Sequence, residues 1–122
     1  MTLDEFANSI VMTNNGPGAF SAVLQLPPDL SVFSGHFPGK PILPGIAYVF
    51  LAENTVSRFC GKKLSLVQLK RTKFFQPTTP GITLNMGGQV TEEEEDKRIT
   101  AQVVFTDGNG QKVCLVKMVL EK

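Results

Sequence analysis

Apolar and polar positions alternate along this chain in two distinct rhythms. Near the start, "SIVMT" (9–13) and "FSAVLQL" (20–26) are rich in strand-forming residues, and the turn residues "NNGPG" between them predict a hairpin. Four more strand-like runs follow after residue 63: "LSLVQLKRTKFF" (64–75), "ITLNMGGQVTE" (82–92), "KRITAQVVFTD" (97–107) and "QKVCLVKMVLEK" (111–122). "DGNG" joins the last two as a strong hairpin signal, while Gly87 and Gly88 predict a bulge or bend inside the second. "EEEED" at 92–96 reads as a solvated turn.

Between these strands the rhythm changes. Ile46, Val49, Phe50, Val56 and Phe59 recur at helical spacing, and Ala47, Tyr48, Leu51 and Ala52 fill most of the remaining perimeter of the first half. Pro44 suits a first helical turn and Gly61 is placed to end the helix, which predicts a helix over 44–60. Being apolar almost all round, it is expected to be wrapped by other structure. The sum is an α+β chain, one helix amid five or six antiparallel strands, with the sheet curled around a buried helix.

Length and composition narrow the function classes. The 122 residues fit one domain, 42% of them hydrophobic and 19% charged, and a net charge of +1 gives no general attraction to nucleic acid or to an anionic membrane. Cys60 and Cys114 share no close motif, so neither a disulfide framework nor a metal site is expected; both read as buried thiols of a reducing compartment. "MTLDEFANSI" has no signal-peptide pattern, and Glu53 and Asn54 interrupt the longest apolar stretch well short of a membrane span. These features lead to the expectation of a cytoplasmic protein that does not enter the membrane.

Candidate chemistry gathers in "PPDLSVFSGHFPGKPILPG" (27–45), nineteen residues without a stable period. So long a loop is functional or a mistaken assignment, and its prolines make it stiff. It holds His36, the only histidine, nine residues before Gly45 at the helix start. A lone histidine beside Phe37 is commonly a hydrogen-bonded structural residue. In this setting a second reading opens. A helix N-terminus presents unpaired N–H groups, and a glycine there lets a substrate approach the backbone. A neutral imidazole held nearby would remove a proton next to a carbonyl while the N–H groups hold the developing oxyanion.

"GHFPGKPILPG" (35–45) followed by an apolar helix resembles the signature of the 3-hydroxyacyl-[acyl carrier protein] dehydratases and their relatives. "KRTKFFQPTTPG" (70–81) is similar to that family's strand ending in a basic-aromatic, Pro, Pro-Gly pattern, and the order of elements agrees over essentially the whole chain. The resemblance implies a hot-dog fold over 1–122, with 35–45 as the active-site loop. It implies a homodimer, or a higher oligomer of dimers, with paired sheets and active sites at the interface. The implied reaction is loss of water from a 3-hydroxyacyl thioester on acyl carrier protein or coenzyme A, without a cofactor or metal. His36 matches the family's base, and Gly45 the glycine whose N–H polarises the thioester carbonyl; Phe37, Pro44, Tyr48 and Phe50 are then expected to line the substrate site.

One position departs from the pattern. The family's helix acid falls at position 50, which here is Phe50, a side chain that cannot donate a proton. Glu53 is the nearest carboxylate, and three residues turn a helix by about 300° and advance it about 4.5 Å, so it lies near the same face. It either replaces the acid, pairs with Arg58, or is solvated at a dimer edge. Asn54 and Tyr48 are weaker candidates. Lys62, Lys63, Lys70, Arg71 and Lys73 form either a rim that steers an acidic carrier or an ordinary solvent-facing set. Two other functions stay open: a hot-dog thioesterase using Glu53, and an acyl-binding or partner subunit that has lost its acid.

Overall fold

A computed structural model of the chain describes residues 1–33, 42–93 and 97–122. The first element is a short helix, α1 (Leu3–Ser9), which the periodicity does not reveal because seven residues hold fewer than two turns. Its signal is local instead. Glu5 N–H donates to the Thr2 hydroxyl at 3.1 Å, and Thr2 N–H donates back to the Glu5 carboxylate at 3.2 Å, a reciprocal capping box. These bonds hold the Glu5 carboxyl below its usual range.

The predicted hairpin follows as β1 (Val11–Asn14) and β2 (Ala19–Gln25). Within the long 27–45 segment, Ser31–Phe33 forms a 3₁₀ turn that buries Leu30 and Phe33, two core residues that the sequence pattern hid among prolines. Then come α2 (Gly45–Cys60), β3 (Ser65–Phe74), β4 (Thr83–Glu93), β5 (Arg98–Thr106) and β6 (Lys112–Glu121). The six strands make one antiparallel sheet in the order β1-β2-β4-β5-β6-β3, and α2 packs across it with contacts to β1, β3 and β6. This is the hot-dog arrangement. No described helix is long and apolar enough to cross a membrane.

Four local expectations need correction. Pro44 stands just outside α2 as its N-cap, with extended backbone (φ −69°, ψ 150°), rather than in the first helical turn. Gly87 and Gly88 make no bulge, since the β2–β4 and β4–β5 registers run through them without a shift. Gly88 is small for another reason: a Cβ there would meet the Phe20 ring at 2.1 Å, and Phe20 in turn packs on Phe59 with centroids 5.2 Å apart. Glu92 and Glu93 belong to β4 rather than to a turn, and Glu92 reaches the Lys122 ammonium at 3.7 Å; residues 94–96 of the charge run lie outside the described residues. Cys114 is buried, but Cys60 is only half-buried at the end of α2.

The core forms where α2 meets the sheet. Ala47, Tyr48, Leu51, Ala52 and Val56 point inward from the helix, against Leu24, Met86, Val103, Phe105, Val116 and Met118 from the strands. Each large side chain buried this way contributes about 1.5–3 kcal/mol. Thr55 escapes a penalty by donating to the Leu51 carbonyl at 2.8 Å. Gly61, in the left-handed region at φ 71°, ends the helix as expected.

The expectation of a helix wrapped on every side holds only toward the sheet. Ile46 is 73% exposed, and Phe50, Glu53, Asn54 and Ser57 continue a half-open stripe at helical spacing. Beside it, β3 pairs among the described residues with β6 alone, carries two register shifts and leaves Leu66, Val67 and Leu69 exposed.

Candidate active site

The first turn of α2 and the end of β3 enclose a pocket of about 420 Å³, walled by Leu43, Pro44, Gly45, Tyr48, Phe74 and Phe75. Backbone bonding brings these two distant segments together. Leu43 N–H donates to the Thr78 carbonyl at 2.8 Å, tying the approach to α2 to the chain beyond β3. On that second segment Gln76 donates through Nε2 to the Asp107 carboxylate and to the Lys112 carbonyl, both at 3.1 Å. Asp107 also accepts the Gln111 and Asn109 N–H groups at 2.9 Å, so one carboxylate organises the β5–β6 turn and anchors the pocket wall. Its carboxyl lies below the ordinary range, chiefly through the Gln111 backbone bond.

Gly45 is the tightest point of the wall. A Cβ there would lie 2.8 Å from the Phe74 ring, so only glycine lets the ring rest against the helix start. Among the described residues no side chain caps this N-terminus. The Ala47 N–H turns back to the Pro44 carbonyl at 3.0 Å, and the Gly45 and Ile46 N–H groups have no partner among the described residues; they lie beside an apolar pocket, where the helix dipole favours negative charge. Behind the pocket the Tyr48 hydroxyl donates to the Thr78 hydroxyl, and burial pushes the phenol pKa up.

Of the residues singled out in sequence, Pro44, Gly45 and Tyr48 meet in this wall. His36 and Phe37 lie outside the described residues. Phe50 is half-buried on the open stripe of α2, packed against the core and away from the pocket wall. Glu53 lies on the same stripe and makes no salt bridge among the described residues. Its pairing with Arg58 does not form, because that guanidinium donates to the Ala7 carbonyl at 3.1 Å, at the end of α1.

The basic residues separate into two groups. Lys62 and Lys63 sit at the far end of α2, in a hollow shared with Asn54 and Arg58. Lys73 stands at the pocket mouth, its Nζ 5.2 Å from the centre of the Phe75 ring, and Lys112 approaches that ring at 5.9 Å. The sequence reading did not single out Phe74, Phe75, Gln76 or Lys112 as site residues. "KFFQP" offered a signal in its paired aromatics, whereas Lys112 comes from a strand 39 residues beyond Lys73.

The model of ApeI-like proteins, described as ApeI dehydratase, matches residues 13–115. The chain belongs to the ApeI-like dehydratase family. Among curated proteins, this ApeI-like chain is 32% identical over 95 residues to the 3-hydroxyacyl-[acyl-carrier-protein] dehydratase FabZ of Latilactobacillus sakei, an alignment covering 72% of the chain and 66% of that relative. It is also 32% identical over 94 residues to FabZ of Haemophilus influenzae, covering 70% and 62%. The chain thus spans a little under two thirds of the length of these relatives. Among solved structures, the dehydratase heterocomplex ApeI:P from Xenorhabdus doucetiae has a TM-score of 0.73 at 24% identity, covering 92% of this chain and 95% of that one. The PaaI protein of Escherichia coli, from the phenylacetic acid degradation operon, reaches 0.75 at 16% identity over 98% and 89%. At these identities the two structures speak for the hot-dog fold alone.

Proposed function

We propose that this ApeI-like chain works as one hot-dog unit over 1–122 and reversibly eliminates water from 3-hydroxyacyl thioesters, giving trans-2-enoyl thioesters. The observation that carries the reading is the uncapped α2 N-terminus at Gly45, open to an apolar pocket nine residues after the only histidine. In this mechanism the Gly45 N–H holds the thioester carbonyl oxygen, and the neutral His36 imidazole takes the proton from C2. The electron pair released from C2–H forms the C2=C3 bond as the C3–O bond breaks. The hydroxyl leaves as water once it receives a proton, and Glu53 is the proposed donor.

The acyl group would arrive on acyl carrier protein or coenzyme A, both of which present a phosphate near the pantetheine arm. Lys73 and Lys112 beside Phe75 support that assignment by placing two cations at the pocket mouth. A second copy pairing along β3 would cover the α2 stripe and bring each Phe50 toward its partner's site. The proposed setting is the cytoplasm, and the proposed assembly a homodimer or an oligomer of dimers.

Crotonyl and 3-hydroxybutyryl thioesters, with hydration and hydrolysis followed together, test the reading. Hydration without hydrolysis is expected, with loss of about 10²–10⁴-fold in His36→Ala and a clear loss in Glu53→Gln. Phe50→Glu is expected to fold and to raise turnover. Hydrolysis alone would favour a thioesterase. If Glu53→Gln leaves turnover intact and Phe50→Glu adds nothing, the proposed acid is wrong. The second reading then takes its place: an ApeI-like subunit whose carboxylate comes from a different hot-dog partner, as Phe50 at the acid position and the heterocomplex neighbour support.

A further inference from the structure

We propose that Tyr48 sets the depth of the pocket and thereby the longest acyl chain it admits; this rests on the acyl-thioester reading of the site. The pocket has an outer and an inner end. Phe74 and Phe75 at the mouth are 53% and 42% exposed, whereas Leu43 and Tyr48 on the inner wall are 4% and 2% exposed. An acyl chain whose carbonyl sits at the Gly45 amide runs inward toward a ring only three residues along the helix, about 4.5 Å of rise.

That ring is fixed on several sides. Phe105 stands edge-on behind it with centroids 5.2 Å apart, and Phe74 lies at 5.8 Å on the mouth side. The Tyr48 hydroxyl donates to Thr78, whose side chain is fully buried and whose carbonyl accepts the Leu43 N–H. Swinging the ring aside would strand two buried hydroxyls. Behind it lie the fully buried Phe105 and Cys114. Tyr48 is therefore the floor of the pocket, and its hydroxyl acts as the pin that holds the floor in place.

The test uses S-alkyl pantetheine thioethers with butyl, hexyl, octyl and decyl arms, which neither dehydrate nor hydrolyse, with binding read by calorimetry. Wild type should gain affinity only up to a short arm and lose it at octyl and beyond. In Tyr48→Leu the limit should move to longer arms, with octyl affinity rising about tenfold or more. Tyr48→Phe keeps the ring but removes the pin, so its limit should fall between those of wild type and Tyr48→Leu. Should Tyr48→Leu lose its melting transition, Tyr48→Met fills more of the vacated space and makes the same comparison. Wild-type affinity rising steadily through decyl, identical limits in wild type and variant, or no thioether binding at all would overturn the proposal. A Tyr48-dependent limit in a protein that never hydrates crotonyl thioesters would leave this inference standing while the dehydratase reading fell.

Discussion

At one edge of the sheet, β1 has four residues and follows α1 after a single residue, Ile10. At the other edge β3 runs for ten residues, with Leu66, Val67 and Leu69 exposed beside the Ile46–Phe50 stripe of α2. Both edges carry unpaired backbone groups, yet only the β3 side combines a long edge with an apolar helix face. It also holds the side-chain oxygens of Asn54 and Thr72, which are shut off from solvent without a hydrogen-bond partner among the described residues. Such groups are costly unless another surface satisfies them. On the β1 side, Phe20 packs between Gly88 and Phe59. The difference teaches that the half bearing the pocket leaves a long apolar edge and a helix stripe open side by side, the surface that the proposed second copy would cover.

The sharpest way to break this comparison is to charge each edge in turn. Leu69→Asp should dissociate the proposed dimer, at a cost of about 2 kcal/mol or more, and reduce turnover with it. Val11→Asp, at a side chain 80% exposed on β1, should change neither. Sedimentation at micromolar concentration decides, and a dimeric Leu69 variant or a dissociated Val11 variant would reverse the assignment.

A smaller effect separates the β1 side into its parts. Gly88→Ala drives a methyl into the Phe20 ring and should destabilise by about 1–3 kcal/mol. Gly87→Ala, with nothing within 4 Å of its added carbon, should be close to neutral. Urea midpoints distinguish them, and the oligomeric state should stay the same in both.

The smallest expected effect is acid sensitivity at the two sides. Asp107, beside the pocket wall, and Glu5, at the start of α1, both have depressed carboxyl pKa values in the folded chain. Each therefore contributes stability that is present above its ordinary unfolded value and lost as pH falls through the folded value. Below about pH 4, faster amide exchange is expected at Asn109 and Gln111 and, separately, across α1. Asp107→Asn should remove the pH dependence at the turn and leave that of α1 untouched. If the variant keeps its acid sensitivity at Gln111, another group controls the turn.

The strands were legible from alternation in runs such as "FSAVLQL" and "LSLVQLKRTKFF", and elsewhere from strand-forming residues set between turn signals such as "NNGPG" and "DGNG". The long apolar run of α2 and its glycine stop were equally plain. α1 escaped because a capping box of two side chains, rather than a repeating face, holds it together. Leu30 and Phe33 escaped because burial there follows from the path of a proline-rich segment.

By itself the sequence determined the order and kind of the main elements, the placement of Gly45 at a helix start and the absence of an acid at Phe50. These depend on local periodicity and on residue identity, which a linear reading preserves. Tertiary structure alone decided that Phe74 rests against Gly45, that Lys112 joins Lys73 at the mouth, and that Arg58 turns to Ala7 rather than to Glu53. It also decided that Tyr48 closes the pocket, since its partners Thr78 and Phe105 lie thirty and more residues away. Such contacts are fixed by how the sheet folds around one helix, and no spacing along the chain encodes them.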